Sequence, residues 1–207
     1  MSNIRTRRLP RCPRCNQAEA ACICDALVRV AIRTKVLVLV HHLEARKTTN
    51  TGRLAALGLG ARLGLWGDRD ADPPALPDGR VLLLFPSEAS RPLVPGDATS
   101  DATLVVPDGS WPQARKMARR VEAACAGRVE RVRVEAGVPS LYTLRRTTRE
   151  GALATIEAIA YALSVLEGDE GARVMTETLA LFGAFVERQA RHGQRALHAR
   201  AARPQLS

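Results

Sequence analysis

The sequence predicts an α/β protein with a mostly parallel sheet, helices on both faces of that sheet and a small cysteine-rich module at the N-terminus. Continuous apolar, β-branched runs at 35–40 and 81–85 are typical of strands that are buried on both faces of a parallel sheet. Segments with helical periodicity alternate with these runs, which places helices on both faces. Four of the five cysteines lie near the start of the chain.

The cysteines form two close pairs, Cys12 with Cys15 and Cys22 with Cys24. Two such pairs separated by a short loop can place four thiolates around one Zn²⁺ ion. Two disulfides or a redox pair are the alternatives. Disulfides are disfavoured because nothing in the sequence indicates export, and a redox pair normally lies between a strand and a helix. We therefore expect a structural zinc site in a module over residues 1–30.

The rest of the chain divides into a predicted catalytic domain, 31–195, and a basic tail, 196–207. Further strands are expected at 63–66, 103–106 and 128–135, and helices from about 53, at 112–124, at 149–166 and from 171 into the 190s. The Thr/Asn cluster at 48–51 can cap the first of these helices. Residues 147–150 resemble a capping box before the third. Residues 67–79, 90–101 and 136–146 are expected to be loops.

The chain carries a formal net charge of +10 and has a pI of about 10.4. A basic surplus of this size favours a polyanionic partner, although an arginine-rich composition alone can also produce it. Aromatic residues make up 3% of the chain, which argues against a broad stacking platform for bases. One predicted helix carries four cations that can contact phosphates or simply form a solvated face. These are Arg115, Lys116, Arg119 and Arg120.

Three features concern location and ligands. No apolar stretch is long enough to suggest a membrane span, and the basic N-terminus is not followed by the apolar region of a secretory signal. We therefore expect a cytoplasmic protein that does not bind a membrane. No Gly-x-Gly-x-x-Gly motif or P-loop supports the use of a dinucleotide or a nucleoside triphosphate.

Polar residues follow three of the predicted strands, at 41–44, 86–88 and 107–111. Ligands of open parallel sheets bind beyond the carboxyl ends of the strands, so these segments predict a shared pocket. Asp108 could equally cap a helix or turn, Trp111 could anchor the core, and the adjacent histidines at 41 and 42 could pack or hydrogen-bond. The convergence of three strand ends is what favours a site.

Five blocks of the chain resemble the DTW-domain family in their order. The blocks are the cysteine cluster, His42-Leu-Glu44 through Asn50-Thr51-Gly52-Arg53-Leu54, Leu84-Phe85-Pro86-Ser87-Glu88, Asp108-Gly109-Ser110-Trp111-Pro-Gln113-Ala114-Arg115-Lys116-Met117, and Tyr142-Thr-Leu-Arg145-Arg146 to Ala154-Thr155-Ile156-Glu157-Ala158. The resemblance covers about residues 12–185. Two positions depart from the family pattern: Ser110 stands where Thr is usual, and His41 stands where Gln is common.

The resemblance implies a tRNA-uridine aminocarboxypropyltransferase that uses S-adenosylmethionine and releases 5′-methylthioadenosine. It also implies a fold related to the SPOUT methyltransferases, with a knotted C-terminal half. A methyltransferase on the same fold and a non-catalytic, zinc-bearing RNA-binding protein are the alternatives. The sequence leaves the oligomeric state open between monomer and homodimer.

The same resemblance, with the strand ends, gives candidate site residues. Asp108 is the candidate base for the uridine N3 proton, with Ser110 and Trp111 beside it. Arg145 or Arg146 could hold the methionine carboxylate. The further cofactor-binding candidates are Pro86, Ser87, Glu88, Pro107, Thr155 and Glu157. His42 and Arg53 join the four helical cations as candidate RNA-binding residues.

Overall fold

A computed structural model describes residues 10–68, 72–135, 140 and 152–201 of the 207-residue chain, with side chains up to residue 193. Its strands are β1 (Lys35–His41), β2 (Arg62–Trp66), β3 (Val81–Leu84), β4 (Arg91–Pro92), β5 (Thr103–Asp108) and β6 (Val129–Arg133). Its helices are α1 (His42–Ala45), α2 (Thr51–Leu59), α3 (Trp111–Ala124), α4 (Thr155–Leu166) and α5 (Gly171–Ala201).

The strands form one sheet in the order β2-β1-β5-β3-β6-β4. Every pairing among them is parallel. The longest internal pairing joins β1 to β5, from Lys35 opposite Thr103 to Val40 opposite Asp108. The carboxyl ends of the central strands therefore meet at one edge of the sheet.

Helices cover both faces of this sheet, which confirms the predicted fold class. Alternate side chains of each strand point to opposite faces. Val36, Val38 and Val40 of β1 pack in the larger core cluster with residues of α2, α4 and α5. Leu37 and Leu39 of the same strand pack in a second cluster with residues of α3. Both core layers thus follow from the continuous apolar runs in the sequence.

The cysteine-bearing segment packs against the first of these cores. Cys15, Ile23 and Val30 are buried within it. Val30 donates its N–H to the carbonyl of Gly58 at 2.9 Å. On α5, Arg188 forms an ion pair with Asp25 and donates to the carbonyl of Cys22. The segment is attached to the body of the protein by apolar packing and by charged hydrogen bonds, and the boundary expected at residue 30 stays a prediction.

Two of the predicted elements differ in the structure. The predicted helix over 149–166 begins instead at Thr155. It starts there because the Glu157 carboxylate accepts the N–H of Ala154 at 2.7 Å and so satisfies the first turn. The predicted loop over 90–101 contains β4, which pairs with β6. The loop expected at 136–146 and the capping box expected at 147–150 fall on residues of which the structure describes only Ser140, and the knot implied by the resemblance stays a prediction.

A buried carboxylate holds β4 in place. Asp97 is 3% exposed and accepts hydrogen bonds from Arg80 at 2.8 Å and from Arg91 at 2.7 and 2.8 Å. Both arginines also pair with Glu130 of β6. The hydrogen bonds from Arg91 and the N–H of Val94 outweigh burial and lower the pKa of Asp97 to about 2. This network fixes the short edge strand, together with the burial of Leu93 directly after it.

Helix α5 runs to Ala201 and so includes part of the segment expected to be a tail. Across the described residues, we find no helix with the length and apolar character that crossing a membrane would require.

Candidate active site

A cleft of about 610 Å³ opens at the carboxyl ends of β3, β5 and β6. Its apolar walls come from strand ends and from the first turns of α3 and α4. They comprise Leu84, Phe85, Val106, Pro107, Trp111, Ala114, Val134, Leu153 and Ala158. Its volume lies in the usual range for sites that bind small molecules. The N-terminal ends of two helices border it, and such ends favour anionic groups.

Five of the predicted cofactor-binding residues line this cleft: Pro86, Ser87, Glu88, Pro107 and Thr155. Glu157 lies behind the wall, 2% exposed, where it accepts the hydroxyl of Ser140 at 2.5 Å in addition to the N–H of Ala154. Glu157 therefore positions the start of α4 and does not itself line the cleft. Arg145 and Arg146 lie outside the described residues.

Asp108 ends β5 and is buried beneath the cleft, with 7% of its surface exposed. Its Oδ1 accepts the hydroxyl of Thr155 at 2.5 Å, and its Oδ2 accepts the side-chain amide of Asn50 at 2.5 Å. Asn50 also caps α2, because its Oδ1 accepts the N–H of Arg53 at 2.8 Å. Gly52 makes this packing possible, since a Cβ there would lie 2.5 Å from Oδ2. Asp108 thus joins β5 to the first turns of two helices.

Trp111 and Ser110 lie next to each other at the start of α3 but occupy different environments. Trp111 lines the cleft and meets Phe85 edge to face, with ring centroids 5.8 Å apart. Ser110 is exposed and is not part of the cleft lining. Its backbone N–H donates to the side-chain oxygen of Gln113 at 2.8 Å. This bond gives a partner to an N–H group that the helix itself leaves unpaired. Of these two predicted residues, only Trp111 is placed to contact a ligand in the cleft.

A serine pair shapes the turn after β3. The hydroxyl of Ser90 donates to the carbonyl of Phe85 at 2.7 Å and accepts the N–H of Ser87 at 2.9 Å. Arg131 donates to the hydroxyl of Ser87 at 3.0 Å and lies 5.6 Å from the centre of the Phe85 ring. Glu122 pairs with Arg131 and keeps its guanidinium in that position. The hydroxyl of Ser87 is therefore oriented before any ligand arrives.

The sequence did not single out Arg133, which lines the cleft at the end of β6. Its guanidinium donates to the carbonyl of Ser90 and lies 3.5 Å from the exposed carboxylate of Glu135. The position at a strand end was the available signal, but an arginine in an alternating Val-charge strand looks like a solvated side chain. Arg133 gives the described part of the cleft a cation.

The predicted RNA-binding residues fall on two separate surfaces. Arg115, Lys116, Arg119 and Arg120 are all exposed on α3. His42 begins α1 beside His41, with ring centroids 4.7 Å apart. Burial lowers the pKa of His41, and the neighbouring positive charges of His42 and Lys116 lower it further. Arg53 belongs to a different groove, described below.

The four predicted metal ligands meet at one point. The Sγ atoms of Cys12 and Cys24 are 3.6 Å apart, those of Cys15 and Cys22 are 3.7 Å apart, and all four lie within 4.8 Å of one another. A tetrahedron with Zn–S bonds of about 2.3 Å has edges of about 3.8 Å, so the spacing fits one zinc ion. The N–H groups of Cys15 and Arg14 lower the pKa of Cys12 to about 6, and burial raises that of Cys24 to about 12.

These features define an α/β protein with a ligand cleft at the carboxyl edge of a parallel sheet and a thiol cluster suited to zinc. The chain belongs to the DTW domain family, whose pattern matches residues 9–190. It is 33% identical over 172 residues to tRNA-uridine aminocarboxypropyltransferase 2 of Drosophila melanogaster, and the alignment covers 77% of this chain and 68% of the fly protein.

Two further relatives carry the same name. The Macaca fascicularis protein is 25% identical, with 78% of this chain and 58% of the relative covered. The Mus musculus protein is 26% identical, with 77% and 57% covered. The chain thus spans somewhat more than half the length of these mammalian relatives. Among solved structures, the SAM-dependent rRNA:acp-transferase Tsr3 from Vulcanisaeta distributa is 20% identical, with a TM-score of 0.48 over 74% of this chain and 82% of that one.

Proposed function

We propose that this protein transfers the 3-amino-3-carboxypropyl group of S-adenosylmethionine to N3 of a uridine in tRNA, releasing 5′-methylthioadenosine. The observation that carries the proposal is the cleft itself, in which the family's strand-end and helix-start blocks meet around Ser87, Pro107, Trp111 and Thr155. The names of the fly, macaque and mouse relatives support the reaction and the tRNA substrate. A cytoplasmic location is part of the proposal.

The lining of the cleft fits the donor. S-adenosylmethionine would supply the group to be transferred, whose γ-carbon bonds to N3 as its bond to sulfur breaks and the electron pair stays on sulfur. The apolar wall beside Trp111 and Pro107 suits the adenine ring. Arg133 and the helix starts suit the carboxylate of the methionine part. Ser87 and Glu88 offer acceptors for hydroxyl and ammonium groups.

Thr155 connects the buried carboxylate of Asp108 to the cleft. The carboxylate does not line the cleft, whereas Thr155 does and donates its hydroxyl to Asp108. The N3 proton therefore passes to the hydroxyl oxygen of Thr155 as the hydroxyl proton passes to Asp108, so that the nucleophile forms without a free base in the cleft. The transferred proton ends on Asp108 and then leaves to solvent.

The test is an assay of unmodified tRNA with S-adenosylmethionine, read by the mass of the tRNA and by the nucleoside product. The proposal expects a gain of about 101 Da on a uridine, with methylthioadenosine released. A gain of about 14 Da with S-adenosylhomocysteine would instead identify a methyltransferase. Binding of tRNA with no mass change under conditions that saturate the donor would identify a non-catalytic RNA-binding protein.

Three variants test the proton path. Thr155→Val removes the hydroxyl with little change in volume, and we expect its transfer rate to fall by about 10²-fold or more. Thr155→Ser keeps the hydroxyl and is the matched control, expected to stay near the wild-type rate. Asp108→Asn keeps the shape of the carboxylate and should fall as Thr155→Val does. A wild-type rate for Thr155→Val would contradict this path.

A further inference from the structure

A second groove, of about 800 Å³, lies between the cysteine module, the α1–α2 segment and α5. We call it the basic groove, and it is lined by Arg11, Asn16, Arg46, Thr48, Arg53 and His192 with three neutral neighbours. Among the residues that the structure describes, no carboxylate lines it. One arginine of the cysteine module, Arg11, and two of the α1–α2 segment, Arg46 and Arg53, thus converge on one open surface.

None of these three arginines forms an ion pair with a carboxylate in the described part of the protein. The Nε of Arg53 is buried and has no hydrogen-bond partner there. Arg11 uses one guanidinium nitrogen to donate to the carbonyl of Arg46 at 2.7 Å, and its other donors stay available. The nearby carboxylate of Glu44 is already paired with Lys47. Converging cations without an internal anion favour an external one.

Hydrogen bonds to α1 and α5 hold the cysteine module in place beside the groove. Besides the hydrogen bond from Arg11, the side-chain amide of Asn16 donates to the carbonyl of Ala45 at 3.3 Å. On the other side, Gln189 of α5 donates to the side chain of Gln17 at 2.5 Å. The groove therefore exists only when the module is docked against α1 and α5.

The first turn of α2 connects the groove to the carboxylate beneath the active-site cleft. Asn50 accepts the N–H of Arg53, whose side chain lines the groove, and donates to Asp108, which lies beneath the cleft. The turn that places Arg53 in the groove is thus the same turn that fixes the active-site carboxylate.

We infer that the basic groove binds the phosphate backbone of the substrate RNA, so that the cysteine module contributes to substrate recognition as well as to the fold. Arginine guanidinium groups suit phosphate oxygens because they offer paired donors in one plane. A groove of this size is much larger than one phosphate ion, and a stretch of nucleic-acid backbone presents successive phosphates to successive arginines. The inference rests on the proposed function for the identity of the RNA as tRNA.

The test measures binding of unmodified tRNA by fluorescence anisotropy over a series of salt concentrations. Arg11→Ala and Arg46→Ala should each raise Kd by roughly threefold to tenfold and reduce the slope of log Kd against log salt by about one. Arg14→Ala is the matched control, because Arg14 is an exposed arginine of the same module that does not line the groove. It should keep the wild-type slope.

Several outcomes would overturn the inference. Wild-type Kd and slope in both groove variants would do so, and so would an equal loss in Arg14→Ala, which would indicate diffuse attraction. Inorganic phosphate that displaces tRNA at constant ionic strength would instead indicate a site for a free phosphate ion. Thermal unfolding of each variant checks the fold, and Arg11→Lys should retain more affinity than Arg11→Ala if the module stays docked.

The binding assay is independent of the reaction. If the protein transfers no aminocarboxypropyl group, the groove variants still report on RNA binding, and the proposed reaction alone fails. If transfer occurs, we expect Arg11→Ala to raise the KM for tRNA and to leave kcat near the wild-type value. A fall in kcat with an unchanged KM would contradict a role in holding the RNA.

Discussion

Gly52→Ala tests the close packing of α2 against Asp108. A Cβ at this position would lie 2.5 Å from Oδ2, 2.9 Å from Cγ of Asp108 and 3.1 Å from Val38. Ordinary contact begins at 3.4 Å, so Oδ2 must move by about 0.9 Å. Such a shift disrupts its hydrogen bond with Asn50, a charge-assisted bond worth about 1.5–3 kcal/mol.

The substitution also stabilises α2, because alanine favours the helical conformation over glycine by about 0.5–1 kcal/mol. The net loss is therefore about 1–2 kcal/mol, or a fall in Tm of about 2–8 °C for a chain of this size. Displacement of the carboxylate and of Thr155 should lower the transfer rate by up to about 10²-fold. Differential scanning calorimetry and the tRNA assay measure the two effects.

Gly183→Ala in α5 is the matched control, because a Cβ there meets nothing within 4 Å. This variant should gain only the higher helix propensity of alanine, so the protein should become more stable by about 0.5–1 kcal/mol with unchanged activity. If Gly52→Ala gains stability as Gly183→Ala does and keeps the wild-type rate, the argument that Gly52 is required for the position of Asp108 is wrong.

Three further predictions concern the acid network, the metal and the start of α4. Because its arginine neighbours lower the pKa of Asp97 from 3.8 to about 2, its contribution of about 2 kcal/mol is present above pH 4 and is lost as the pH falls towards 2. Urea unfolding should therefore show a stability gap between wild type and Asp97→Asn at pH 7 that narrows near pH 3. Cys24→Ser should lose bound zinc, measured by elemental analysis, and a chelator should lower the Tm of the wild type but not of this variant. Glu157→Ala leaves the N–H of Ala154 unsatisfied and should cost about 1–3 kcal/mol in urea unfolding, whereas Glu157→Gln keeps an acceptor and should cost less.

The strands of the sheet were predictable where burial on both faces left a continuous apolar run, as at 35–40 and 81–85. The edge strand β4 was not, because Arg91 and Pro92 carry no apolar pattern and are placed by ion pairs with Asp97 and Glu130. Local signals detect burial along a segment, but they do not detect a strand that depends on charged partners elsewhere in the chain.

The start of α4 differs from the helix start that the sequence predicts. The predicted cap at 147–150 had the right residue types in the right spacing. The observed start instead has Ala154 as the N-cap, which offers no side-chain acceptor, and Glu157 three residues later supplies the hydrogen bond. One half of a capping box is therefore sufficient here, whereas the box expected at 147–150 lies outside the described residues.

The location of the site could be predicted from the sequence, but most of the contacts within it could not. Parallel strands bring their carboxyl ends together, so Ser87, Pro107 and Asp108 could be assigned to one edge from the sequence alone. The hydrogen bond between Asn50 and Asp108 joins residues 58 apart in the chain, and no local sequence pattern predicts it. Arg133 was missed for a similar reason, because its role depends on where β6 lies in the strand order.

The position of Asp108 changes how its mutants must be interpreted. A buried carboxylate requires donors, and here these come from the first turns of two helices, through Asn50 and Thr155. Removing the carboxylate therefore disturbs the wall of the cleft as well as any proton acceptor. Loss of activity in Asp108→Ala alone cannot assign the base. Equal losses in Asp108→Asn and Thr155→Val, with retained stability and donor affinity, would assign the proton path, because these two variants interrupt it at different atoms.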